Sequence, residues 1–238
     1  TMAALAEPCI VRHLLRLGVD TVELMPIGAW IDERHLPALG LANAWGYNPV
    51  SLLAPDPRLA PGGMEEIRTM IARLHEAGLR VILDVVVNHS GESDTDGATL
   101  SMRGLDNALY YAHGADGRLV NDTGCGNTLA LGNAHVMRLV MDALRHWAAA
   151  GFDGFRFDLA AVLGRTPHGF DAQSPLLAAI AQDPVLSRLT LVAEPWDAGG
   201  GGYRLGGFGH PWHEWNDRYR DRVRAFWRGD AHAVASFA

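Results

Sequence analysis

The chain is poor in cysteine. Cys9 and Cys125 are the two in 238 residues, too few for a disulfide framework and without metal-ligand spacing. Each is expected as a buried or loop thiol. Basic clusters are missing as well: with a formal net charge of −7 and no Lys/Arg-rich run, no electropositive surface is offered to nucleic acid. No apolar run reaches the roughly 20 residues of a membrane-spanning helix. The first residues also lack the basic-then-apolar order of a secretory signal, which makes the cytoplasm the default compartment. What remains is ordinary for a globular domain: 48% hydrophobic and 20% charged residues, in a length that supports one sizeable core.

Apolar residues are arranged in a repeating order. Ile10, Leu14 and Leu17 recur at helical spacing before Gly18, a helix stop signal. Val19 to Pro26 is a short β-type segment, followed by a polar loop containing Trp45-Gly-Tyr-Asn-Pro49. A second helix is predicted from about Gly62, with Met64, Ile67, Ile71 and Leu74 on one face and Gly78 at its end. Leu79 to His89 is almost continuously apolar, as expected of a strand buried on both faces in a parallel sheet. Residues 90–132 are expected as a long loop. Asn133 then caps a helix carrying Val136, Val140, Ala143 and Trp147, closed by Gly151. The strand Gly151–Asp158 follows, then a helix starting at Ser174-Pro175, the strand Leu189–Glu194, and a charged, aromatic, partly helical segment from Glu214 to Gly229.

Four buried strands alternating with helices predict an α/β fold with a parallel sheet and right-handed crossovers. Polar residues gather where strands end: Asn88 and His89, Arg156 and Asp158, Glu194. That is the active face of a (β/α)8 TIM-type barrel. A doubly wound sheet would use the same strand ends, but no glycine fingerprint follows the first strand. In the strand Gly151–Asp158, Arg156 and Asp158 share one face and Phe155 and Phe157 the other. A carboxylate beside a guanidinium is expected to have a depressed pKa. Two carboxylates on neighbouring strand ends, Asp158 and Glu194, suit attack on a glycosidic bond, either retaining or inverting according to their separation.

Asp84-Val-Val-Val-Asn-His89, Gly154-Phe-Arg-Phe-Asp158 and Glu194-Pro-Trp-Asp197 resemble, in order and spacing, three motifs of the α-amylase superfamily of glycoside hydrolases. Trp45 to Pro49, Asn121 to Thr128, Trp196 to Gly199 and Trp215 to Asp221 look like the isoamylase and bacterial glycogen-debranching branch. The resemblance implies that Asp158 is the nucleophile, Glu194 the general acid/base, and Arg156 the orienting partner of Asp158. It implies that His89 bonds a sugar hydroxyl, that Tyr47 stacks on the sugar, and that Asp84 and Asn88 support the site. Trp196 is a further substrate-binding candidate, and Trp30, Trp45, Trp212 and Trp215 are candidates for a glucan groove. The partner implied is an α-glucan such as glycogen, limit dextrin or maltooligosaccharides. No cofactor is expected; Asp94, Asp96, Asp106 and Asp122 could suggest calcium but lack EF-hand spacing.

The family has one more catalytic acid, an aspartate after a histidine on a later strand, which His213 and Asp217 do not replace. Residues 1–238 are therefore expected to hold the central part of the barrel, about strands 2 to 6, without the first strand, the last strands or accessory domains. Open sheet edges predict that the chain either self-associates or is markedly unstable, which a monomer in sedimentation with a high melting temperature in calorimetry would contradict. Three activities stay open at this point. They are retaining hydrolysis of α-1,6 branch linkages, α-1,4 hydrolysis or transglycosylation, and a non-catalytic glucan-binding or structural role.

Overall fold

The computed structural model describes residues 1–231, 233 and 234; positions 232 and 235–238, the end of the expected 1–238 domain, lie outside the described residues. Two helices come first, α1 (Met2–Leu5) and α2 (Pro8–Leu17). Pro8 sits in the first turn of α2, where its missing N–H costs nothing. Gly18 ends the helix at φ 75°, a left-handed conformation that disfavours side chains. Cys9 is exposed on α2, contrary to a buried or loop position, because α2 buries none of its residues.

Strand β1 (Thr21–Leu24) leads through the Trp45–Pro49 loop to α3 (Gly63–Glu76), whose buried face is Ile67, Met70, Ile71 and Leu74. Strand β2 (Arg80–Val85) follows, buried from Val81 onward. The stretch 90–132 is not all loop: it carries α4 (Met102–Tyr110). This helix is short and broken by a non-helical Asp106, and its N-terminus is satisfied from a distance. The buried Glu92 carboxylate accepts from the backbone N–H of Leu100 (2.7 Å), Ser101 (2.8 Å) and Arg103 (2.9 Å), and from the Tyr111 hydroxyl.

Helix α5 (Ala134–Ala150) is capped by Asn133, which accepts from His135 N–H, and ends on Gly151. After β3 (Gly154–Phe157) come a 3-10 turn (Ala160–Gly164) and a small hairpin of β4 (Arg165–Thr166) and β5 (Gly169–Phe170). Helix α6 (Pro175–Gln182) begins as expected at Pro175, but the Ser174 hydroxyl bonds the Leu163 carbonyl instead of capping. Then come β6 (Thr190–Ala193), β7 (His213–Glu214) and α7 (Asp217–Arg228).

The main sheet runs β1-β2-β3-β6-β7 with every pair parallel. Among the described residues it has five strands, one more than the four expected, because the two-residue β7 is too short to carry a periodic signal. Register fixes the faces. Asp84 pairs with Arg156 and Arg156 with Val192 on the inner face, whereas Leu83, Phe155 and Leu191 are aligned on the outer one. The outer residues join the core with α3, α5 and α6. All strand C-termini therefore open onto one end. No helix among the described residues is long and apolar enough to cross a membrane.

Candidate active site

One guanidinium organises the site. Arg156, 2% exposed on β3, donates through Nη1 to Asp84 Oδ2 (2.7 Å) and Asp158 Oδ1 (3.3 Å). Its Nη2 lies 3.0 Å from Glu194 Oε2. Neighbouring parallel strands bring the three carboxylates together: Asp84 from β2, Asp158 just beyond β3 and Glu194 just beyond β6. Below the guanidinium, the Trp215 ring lies 4.0 Å from Arg156 Cζ, a distance suited to a cation–π contact.

Local backbone completes the arrangement. Leu159 has φ 42°, a left-handed conformation that costs a branched residue of order 1 kcal/mol or more. This turns the chain sharply after Asp158 and aims Leu159 N–H at Glu194 Oε2 (2.7 Å). Ala160 N–H donates to the Glu194 carbonyl (2.9 Å). On the other side Asn88 Nδ2 donates to the Asp158 carbonyl (2.5 Å) and to its Oδ2 (3.1 Å).

Burial sets the protonation balance, since three carboxylates share one cation. Glu194 is pushed above the usual carboxylate range by burial; Arg156 opposes this and the Asp158 charge adds to it. Asp158 is also raised rather than depressed, which corrects the expectation from Arg156 alone. Burial is the largest cause, outweighing Asn88 and Arg156, because Asp84 and Glu194 draw on the same guanidinium. Glu194 and Asp158 are thus both raised, each chiefly by burial, with Arg156 opposing the rise in both. Asp84 is pushed by burial up to about 7, against the pull of Arg156 and Tyr47.

The Asp84 shift predicts a pH dependence of stability. A raised folded-state pKa stabilises below the unfolded value, near 4, and this is lost as pH rises through about 7. Asp84→Asn removes that contribution. Its melting temperature relative to the parent should therefore climb from pH 4 to pH 7, by up to about 1.4 kcal/mol of stability per pH unit. A constant difference across that window in calorimetry would contradict the assignment.

The other expected residues are placed as follows. Tyr47 is half-buried, and its hydroxyl donates to Asp84 Oδ2 (2.6 Å), which fixes the ring at the edge of the carboxylate cluster. Near-complete burial lowers the His89 pKa to about 4 and keeps the ring neutral. Its Nε2 donates to the Tyr47 carbonyl (2.7 Å), and its Nδ1 faces the Asn88 side chain. A bond from His89 to a sugar hydroxyl would have to displace one of these two partners. Trp196 is half-buried, and its backbone N–H donates to the Glu194 carbonyl (2.9 Å). Among the groove candidates Trp30 is instead a buried residue: its Nε1 donates to the Asn43 carbonyl (3.0 Å) and Arg58 covers its ring. Trp212 packs on Phe157, while Trp45 is 69% exposed.

Of the acidic loop residues, Asp94 pairs with Arg34 (2.8 Å) and Asp122 lies 3.6 Å from Arg165. Among the described residues no group of three or more His, Cys, Asp or Glu converges to hold a metal. Cys125 is half-buried beside the site, and its thiol is pushed up to about 11, first by burial and then by Asp158.

Sequence reasoning missed Glu23. It lies on β1 in register with Ile82 and Gly154, and hence on the same sheet face as Arg156. Partial desolvation raises its pKa, while Arg156 and a hydrogen bond from Trp215 oppose the rise. Nothing local in Thr21–Leu24 sets it apart from a solvent-facing charge; its face is fixed by the pairing with β2.

Known proteins similar to this chain are found by family, by sequence and by fold. The family model of the α-amylase catalytic domain matches residues 13–114. The chain is 49% identical over 242 residues to a glycogen debranching enzyme of Enterobacter sp. (strain 638), covering all of this chain and 37% of that protein. It is 50% identical to the glycogen debranching enzyme of Yersinia enterocolitica, over 97% of this chain and 36% of the relative. The chain thus spans little more than a third of the length of these relatives. Among solved structures, pullulanase from Anoxybacillus sp. LM18-11, complexed with maltotriose, superposes with a TM-score of 0.78. That match has 25% identity and covers all of this chain and 37% of the pullulanase. Pullulanase type I from Bacillus subtilis, complexed with maltose, gives a TM-score of 0.70 at 28% identity over 89% and 30% of the two chains. The parallel sheet thus matches part of a (β/α)8 barrel, and the chain is similar over its whole length to glycogen debranching enzymes, with residues 13–114 matching the α-amylase catalytic domain.

Proposed function

We propose that the protein carrying this barrel hydrolyses α-1,6 branch linkages of glycogen or a related α-glucan with retention of configuration. The observation that carries the reading is the Arg156 fork, with Asp158 on Nη1 and Glu194 on Nη2. Such a fork holds two carboxylates close together, as the roughly 5–5.5 Å separation of retaining enzymes requires. An Asp158 oxygen attacks the anomeric carbon while Glu194 gives its proton to the departing glycosidic oxygen. The C1–oxygen bond to the leaving chain breaks as the bond to Asp158 forms. Glu194, now ionised, takes a proton from water, which displaces Asp158 and restores both groups. Two carboxylates and one water balance the reaction, so no cofactor is assigned to it.

Tyr47 supplies the platform for the sugar, its hydroxyl held by Asp84, and Trp196 borders Glu194. His89 and Asn88 act from behind: Asn88 holds Asp158, and His89 fixes the Tyr47 loop and offers its ring to a hydroxyl on exchange of a partner. The α-1,6 preference is supported by the relatives, which are glycogen debranching enzymes and pullulanases. A cytoplasmic location fits the two unpaired thiols, since oxidising compartments favour disulfides.

The test is product analysis on glycogen, pullulan and amylose, with the first-formed anomer followed by proton NMR. Linear maltooligosaccharides from glycogen and pullulan, the substrates with α-1,6 linkages, released first as α-anomers, are expected. Cleavage of amylose alone would move the reading to α-1,4 chemistry. A β-anomer would exclude the double displacement.

A further inference from the structure

Asp197 stands three residues beyond Glu194 and takes no part in the chemistry above, yet it is among the most completely enclosed charges in the molecule. Its side chain is fully buried, and Arg165 grips it with two prongs, Nε to Oδ2 at 2.8 Å and Nη2 to Oδ1 at 2.6 Å. Such a bidentate pair has a defined geometry as well as strength. Arg165 begins the hairpin that follows the turn after Asp158, so the pair joins the loop of one carboxylate to that of the other. Further bonds lock the same region. Gly199 N–H donates to Asp197 Oδ1 (2.9 Å), and Ala198 N–H donates to the Asp122 carbonyl (3.0 Å). The glycines around the pair leave room for it: a Cβ on Gly199 would run into Arg165, and one on Gly202 into Asp197.

We propose that Arg165 and Asp197 are positioning residues that set where Glu194 stands relative to Asp158 and the scissile oxygen. The inference rests on the glycosidase reading above and deepens it. Glu194 itself is held on the Asp158 side, by Leu159 N–H and Arg156. On its C-terminal side the chain passes through Pro195 and Trp196 directly into the clamp. Loosening the clamp leaves the nucleophile anchored by Asn88 and Arg156 but lets the acid drift. The defect should therefore fall on proton donation and not on attack.

Leaving groups separate the two. Glycogen releases a sugar alkoxide that needs the Glu194 proton, whereas fluoride departs from α-maltotriosyl fluoride without one. For Asp197→Asn, kcat/KM on glycogen should drop about a hundredfold, the scale of a misplaced general acid, with KM little changed. The value on the fluoride should stay close to the parent's. Arg165→Gln should do the same, and the double variant should add little more, since both remove one interaction. Equal losses on both substrates, or no loss on either, would overturn the proposal.

If the parent protein turns over neither substrate, the glycosidase reading fails. The clamp is then judged by carbon-13 carboxylate NMR. The charged groups facing Glu194 are Arg156 and Asp158, both from β3 and its end. With these in place, Asp197→Asn should lower the Glu194 titration point by admitting water; an unchanged point would overturn the clamp directly.

Discussion

An Arg156→Met protein is expected to lose about 3–5 kcal/mol of folding stability, the range for breaking a buried ion pair from one side, together with its turnover. The loss exceeds a single contact because Asp84, Asp158 and Glu194 all lean on this guanidinium, and Trp215 covers its face. Its pH dependence is specific. Without the cation the three carboxylates titrate still higher and bind protons on folding, so the deficit should shrink towards pH 4 and widen towards pH 8. Urea denaturation at the two pH values gives the comparison. A deficit that grows towards acid would mean that Arg156 does not oppose the rise of these carboxyl pKa values. Arg156→Lys should rescue little, since one ammonium cannot reproduce the fork that reaches Asp158 and Glu194 on separate prongs.

Asp158→Asn should have the opposite effect on stability and a larger one on activity. Turnover is expected to fall about 10⁴-fold or more, the scale seen when a catalytic carboxylate or nucleophile is removed. The fold should hold and melt at the same temperature or higher, because one of three carboxylates crowding a single cation has become neutral. An amide fits the same space as the carboxylate, and its oxygen can still accept from Asn88. Such opposition between activity and stability is usual where a site stores electrostatic strain. A lower melting temperature would contradict the crowding argument, and parental turnover would remove Asp158 from the mechanism.

Much of this arrangement was visible before the structure. The strand ends carrying Asn88, Asp158 and Glu194 were legible because buried parallel strands are apolar until they emerge at their C-termini, where a polar residue stands out. The alternation in Gly154–Phe157 placed Arg156 correctly on the inner face. What could not be read was how many partners Arg156 has: Asp84 lies 72 residues away, and only the parallel register of β2 with β3 makes them neighbours. The sign of the Asp158 shift was missed for that reason, as a one-to-one pair would depress it and a shared cation under burial does not. Helix α4 escaped because its start is satisfied by Glu92, a tertiary contact with no local capping signature, and because Asp106 interrupts it. Strand β7 is two residues long and owes its existence to Trp215 N–H donating to the Ala193 carbonyl (3.0 Å). Glu23 stayed hidden because one charged residue in a four-residue strand looks like a solvent-facing position.

The central claim is that Asp158 becomes covalently bonded to the sugar. A fluorinated α-maltooligosyl fluoride, slow to be released by water, traps that bond, and peptide mapping by mass spectrometry locates it. One glycosyl unit on the peptide containing Asp158, absent from Asp158→Asn, is the predicted result. A glycosyl unit on Glu194 or any other residue would contradict the account, as would continued turnover with no labelled peptide.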